Sequence, residues 1–89
     1  GLLIDTFIND SEQRIASLAQ ELERSDSDGV RRSAHSFKGS SSNIGAPQLT
    51  ELCQLLEDRG NDGKLEGMKA QLDLIREEFD HVRTGLRAL

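Results

Sequence analysis

The chain has one cysteine, one proline, three aromatic residues and neither tryptophan nor tyrosine in 89 residues. A single thiol cannot close an internal disulfide, so the chemistry reads as that of a reducing compartment, and a cytoplasmic location is expected. No apolar run approaches the roughly 20 residues needed to cross a bilayer. There is no concentrated basic run either: Lys plus Arg number 11 against 16 Asp plus Glu, for a formal charge of −5. That field makes nucleic acid and anionic membrane surfaces poor partners. A chain this short buries only about 60–65% of the surface it exposes when unfolded, enough for one core and little else. A cleft-bearing ATP-dependent kinase or dinucleotide-binding enzyme is therefore not expected. Gly1 stands where a methionine would, with no charged n-region or cleavage site after it, which reads as an excised domain and not as a signal peptide.

What the sequence does have is helical periodicity. With a single proline at position 47, long stretches carry no helix breaker. A first segment, about Leu2 to Arg24, sets Ile4, Phe7, Ile8, Ile15, Leu18, Ala19 and Leu22 at helical spacing, with a polar gap around Ser11. Ser25-Asp26-Ser27-Asp28-Gly29 ends it and supplies the N-cap of a second helix. From Val30, Ala34, Phe37, Ser41 and Ile44 repeat every three or four residues, and Asn43 and Gly45 suit a helix end. Pro47 fits the first turn of a third helix striped by Leu49, Leu52, Cys53 and Leu56, which Gly60-Asn61-Asp62-Gly63 is expected to break. The fourth segment is striped from Leu65 through Met68, Leu72, Ile75, Phe79 and Val82 to Leu86. Short polar connectors make consecutive helices antiparallel neighbours. The expected fold is all-α, a single up-down-up-down four-helix bundle over residues 1–89.

Two histidines are the side chains whose ordinary chemistry sits near neutral pH. At 100° per residue, His35 lies roughly 140° from the centre of its helix's apolar stripe, and so points to water. Lys38 follows at i+3, Gly39 at i+4 and Ser42 at i+7, with Arg31 one turn before. Glycine in mid-helix costs about 1 kcal/mol relative to alanine, so Gly39 suggests room for another molecule's backbone. A solvent-facing neutral imidazole is a good nucleophile, and Lys38 and Arg31 would stabilise a phosphoryl group placed on it. His81 is the internal control. It too lies off its helix's stripe, with Gly85 at i+4, but Thr84 stands at i+3 and Glu77 at i−4, so it reads as a solvated residue.

Other constellations carry less. Cys53 sits in an apolar stripe with no partner at metal-ligand spacing, and reads as a small buried hydrophobe. Asp26-Ser27-Asp28-Gly29 and Asp58 to Gly63 fail the calcium-loop template, because Arg24 and His35, or Gly60 and Lys69, fall at ligand positions. Ser40, Ser41 and Ser42 encode no Ser–His–acid arrangement. Their small size is the better account. No metal site and no cofactor of the chain's own is expected.

The run His35-Ser36-Phe37-Lys38-Gly39-Ser40-Ser41-Ser42-Asn43-Ile44-Gly45-Ala46, with Leu49, Leu52, Cys53, Leu56 and Glu57 after it, resembles the signature of histidine-containing phosphotransfer (HPt) domains. The strong part of the likeness covers roughly residues 30–57, while the first and last helices agree in length and patterning. The resemblance implies that His35 accepts a phosphoryl group from an aspartyl phosphate on a receiver domain and passes it to a second receiver. It implies that Lys38 stabilises the phosphoryl group, and that Gly39, with Arg31 and Ser42, belongs to the receiver-docking face. Glu57 falls where the family usually carries a Glu or Gln that hydrogen-bonds the imidazole. Its position at the edge of the third helix's stripe is compatible, and an acid close to a helix C-terminus opposes the macrodipole unless it has a specific use. The implied partners are response-regulator receivers or a hybrid sensor kinase, with any Mg²⁺ belonging to the receiver. Such a domain is a phosphoryl carrier and not an independent enzyme. Two alternatives stay open: a phosphate-independent helical adaptor or dimerisation bundle, and the phospho-acceptor domain of a chemotaxis-type histidine kinase.

Overall fold

The computed structural model describes residues 1–89, folded as four helices: α1 (Leu2–Glu23), α2 (Ser27–Asn43), α3 (Pro47–Asp62) and α4 (Met68–Arg87). They form an antiparallel up-down-up-down bundle of 38 × 19 × 18 Å, with α1 against α2, α2 against α3, α3 against α4, and α4 closing the ring on α1. The α2–α3 pairing is the most extensive of the four.

All three corners close the same way. At the end of α1, Asp26 N–H donates to the Glu21 carbonyl and Ser25 N–H to that of Leu22. At the end of α2, Ala46 N–H donates to Ser41 and Gly45 N–H to Ser42; at the end of α3, Lys64 N–H donates to Arg59 and Gly63 N–H to Gly60. Each is a paired closure around one residue in the left-handed region, Ser25 at φ 53°, Gly45 at 81° and Gly63 at 68°. The last carbonyls of each helix are thus satisfied without a long loop, and the chain reverses in three to five residues.

The start of α2 follows expectation, and two other boundaries differ. Helix α2 begins at Ser27, one turn before Val30, because Asp26 caps it: its Oδ1 accepts from Gly29 N–H at 2.9 Å. Helix α4 begins only at Met68, because Gly67 takes a left-handed φ of 81° and leaves Leu65 outside the helix. Helix α3 runs through Gly60 to Asp62. Gly60 is not a breaker but a buried point of close approach, where an added Cβ would lie 2.9 Å from Arg31 Cα and N on α2.

The core holds fourteen apolar residues, and Phe37 and Phe79 meet within it edge to face at 6.5 Å. Val30, Ala34, Phe37 and Ser41 all face inward from α2. Burying Phe37 contributes on the order of 2–3 kcal/mol and fixes the rotation of α2 about its own axis, which sends His35, two residues earlier, to the outer face. The polar gap of α1 is inside: Ser11 is buried. Cys53 is fully buried, and burial pushes its thiol up to about 12 with neighbouring Ser41 pulling weakly the other way, so it acts as a small apolar residue at neutral pH. No helix is long and apolar enough to cross a membrane, and no group of three or more metal-ligating side chains comes together.

Candidate functional site

The outer face of the α2–α3 pair carries a connected set of polar side chains. His35 has a side chain 65% exposed, and its Nδ1 lies 3.1 Å from Glu57 Oε2 on α3. Glu57 is itself only 13% exposed, and its other oxygen, Oε1, lies 2.9 Å from Lys38 Nζ. Desolvation pushes the Glu57 carboxyl up, but hydrogen bonding and charge from Lys38 and His35 together outweigh it and leave its pKa below the ordinary value of 4.5. At neutral pH Glu57 is therefore a carboxylate, which can only accept. Nδ1 must be the donor in the neutral imidazole, and the Nε2 lone pair is left free on a largely exposed ring. One carboxylate thus fixes both the tautomer of His35 and the placement of the lysine beside it.

The reach across depends on how closely α2 and α3 approach. Gly60 meets Arg31 three residues after Glu57 on one helix and four before His35 on the other, so a point of close approach sits about one turn from the His–Glu pair. Glu57 lies five residues before the end of α3, more than one turn away, because the helix continues to Asp62. The helix macrodipole, expected from the sequence to oppose an acid here, therefore has little hold on it. What singles Glu57 out is the cross-helix pairing.

His35, Lys38 and Glu57 are brought together, while Arg31, Gly39 and Ser42 have other surroundings. Arg31 is held within α2 by Asp28, Nε to Oδ1 at 3.6 Å, and is not joined to the His35 cluster. Gly39 faces open space, with nothing within 4 Å of where a Cβ would stand. Ser42 is exposed and lines a shallow groove with Lys38, Pro47, Thr50 and Gln54. Sequence reasoning missed Gln54 and Asp58. Lys38 Nζ donates to Gln54 Oε1 at 2.9 Å, and Gln54 Nε2 donates to Asp58 Oδ1 at 2.8 Å. The available signal was their spacing: Gln54 precedes Glu57 by three residues and Asp58 by four, which sets all three along one side of α3.

A four-helix bundle that presents an oriented, uncovered imidazole beside a lysine is the architecture of a histidine phosphotransfer module. A profile of the Hpt domain matches residues 2–85, and the chain belongs to that family. The chain is 32% identical over 93 residues to histidine-containing phosphotransfer protein 1 of Oryza sativa subsp. japonica, covering 98% of this chain and 60% of that protein. It is 29% identical over 97 residues to chemotaxis protein CheA of Bacillus subtilis (strain 168), over 97% of this chain and 14% of that protein. The crystal structure of histidine-containing phosphotransfer protein B from Pseudomonas aeruginosa PAO1 superposes with a TM-score of 0.96 at 40% identity, over 98% of this chain and 76% of that one. The chain thus spans less than two thirds of the curated proteins it matches. Members of the family are phosphocarriers and not catalysts.

Proposed function

We propose that the chain carries a phosphoryl group on His35 Nε2 between the aspartates of receiver domains in a phosphorelay. The observation that carries this reading is the 3.1 Å pairing of His35 Nδ1 with the shielded Glu57 carboxylate. In the first half-reaction the Nε2 lone pair attacks the phosphorus of an aspartyl phosphate, the P–O bond to the carboxyl group breaks, and the aspartate leaves as a carboxylate. The phosphorylated ring keeps its Nδ1 proton, and its positive charge faces Glu57. In the second half-reaction an oxygen of another aspartate attacks phosphorus, the N–P bond breaks, and the electron pair returns to Nε2. No proton is gained or lost over the cycle, so the carrier needs no acid, base or ATP site of its own.

Lys38 places positive charge beside the transferring group. Gly39 and Ser42 leave the rim low enough for a receiver's active-site face to close over the ring, and Arg31 stands at the edge of that docking area. The Mg²⁺ of the transfer belongs to the receiver's acidic pocket. The setting is the cytoplasm, where receivers and a chain with one reduced cysteine coexist. A phosphate-independent adaptor would make no use of a shielded carboxylate shared between a histidine and a lysine. The similarity to CheA supports a second reading, in which the phosphoryl group reaches His35 from ATP bound to a separate domain. In both readings, charging the purified chain with a phosphoryl donor yields an acid-labile, base-stable phosphate. His35→Gln abolishes that label and His81→Gln leaves it. Equal labelling of the two variants would remove His35 from the mechanism.

A further inference from the structure

Lys38 is held from two sides. Its ammonium lies 2.9 Å from Glu57 Oε1 and donates to Gln54 Oε1, also at 2.9 Å. Gln54 in turn donates through Nε2 to Asp58 Oδ1 at 2.8 Å. The direction of the Gln54 amide is set by chemistry. An ammonium can only donate and a carboxylate can only accept, so flipping the amide would set NH₂ against NH₃⁺ and a carbonyl against a carboxylate. Asp58 therefore fixes which end of Gln54 faces Lys38 and polarises that amide toward the cation.

We propose that Gln54, oriented by Asp58, is a positioning residue that holds Lys38 ready for the phosphoryl group on His35. The inference rests on the phosphocarrier reading and deepens it. A lysine ammonium has three N–H donors; Gln54 accepts one while Glu57 faces the ammonium as an ion pair at 2.9 Å, so a donor remains for an incoming phosphoryl oxygen. The four-carbon stem loses its rotamer freedom in the resting state, and no reorganisation is needed when charge develops at phosphorus. Without Gln54 the ammonium has one anchor, Glu57, and its stem spends part of its time in other rotamers. Gln54 touches neither the imidazole nor the phosphoryl group, so it acts only through Lys38.

The test charges the purified chain with phosphoramidate, which needs no partner protein: Nε2 attacks phosphorus, the donor's P–N bond breaks and ammonia is released. Loss of one hydrogen bond to the ammonium in Gln54→Leu is expected to slow charging by about three- to tenfold with unchanged helicity. In a Lys38→Ala background the same substitution is expected to have no further effect, because the lysine it positions is gone. Asp58→Ala should slow charging in the same sense, and Asp58→Asn, which keeps an acceptor oxygen, should recover most of the loss. In the uncharged protein, the Lys38 ammonium signal in ¹⁵N NMR should broaden in Gln54→Leu. Full charging rate in Gln54→Leu, equal slowing in both Lys38 backgrounds, or an unchanged ammonium signal would each overturn the proposal. Failure of the phosphocarrier reading has a different signature: a His35→Gln variant that still takes up phosphate.

Discussion

The two histidines of this bundle are similarly exposed but differently partnered. Each projects from the outer face of its helix, each has a glycine four residues on with open space around it, and each has a carboxylate near Nδ1. For His81 that carboxylate is Glu78 on its own helix, at 3.5 Å, beside a side chain 72% exposed. For His35 it is Glu57 from the neighbouring helix, at 3.1 Å, shielded from water and shared with Lys38. Exposure and a nearby glycine therefore do not distinguish an anchored imidazole from a solvated one. The two rings are similarly exposed and both carboxylates are largely covered, so what sets His35 apart is an acceptor that is closer, anchored on a second helix and shared with a lysine.

The most severe way to erase this difference is to remove the cross-helix acceptor. Glu57→Ala frees the ring of His35 and leaves Lys38 without its closest anion, and phosphoryl uptake is expected to fall by about 100-fold through lost orientation, read as the initial charging rate. An uptake rate within twofold of the parent chain would show that the pairing is ornamental to the chemistry. Next comes the crossing that brings the two helices together. Gly60→Ala sets a methyl 2.9 Å from the Arg31 backbone, which cannot swing aside as a side-chain tip can. The expected loss is about 2 kcal/mol in denaturant unfolding, with slower charging because Glu57 is displaced from His35. A neutral Gly60→Ala would mean that the α2–α3 spacing is not set there.

The pH dependence is a gentler probe of the same pair. The folded pKa of Glu57 lies below 4.5, so its ionised form is favoured by folding. Its contribution to stability is present above the ordinary carboxyl value and is lost as pH falls through the lowered one. The parent chain should be more stable than Glu57→Gln at pH 7, and the gap should close as pH drops below 4.5; a gap that widens with acid would reverse the sign assigned to Glu57. The smallest effect is expected from giving His81 the lysine it lacks. Thr84→Lys restores the i+3 cation of the His35 motif but no carboxylate from another helix, and labelling at position 81, mapped by mass spectrometry, should stay at background. A labelled His81 in that variant would show that a local cation suffices.

The four helices were legible because the apolar stripes of this chain are regular and its corners are chemically marked. The stripe through Val30, Ala34 and Phe37 places His35 outward from periodicity alone, and the structure has it there. Gly45 at a helix end and Pro47 at a helix start also fell as local rules require. Gly60 was misread, because a glycine inside a helix looks the same in sequence whether it ends the helix or admits a neighbour. The start of α2 falls within the run that marks its cap, on a turn that carries no stripe of its own. Periodicity reaches Glu57 only as an acid at the edge of a stripe, its role coming from the family resemblance, while Asp58 stands out only in a calcium-loop template that fails and Gln54 not at all. Polar residues on an exposed helix face have no periodic signature, and what each one touches depends on the helix beside it.

The sequence by itself determined that the chain is helical, where its corners fall, and that one histidine faces solvent with a lysine one turn on. Spacing and backbone preferences, which act over a few residues, are enough for that. Only the tertiary structure decided that this imidazole is oriented and its lysine held. That needs side chains from two helices at hydrogen-bond distance, and the distance is set by packing at Gly60 and Phe37, not by any local run of residues.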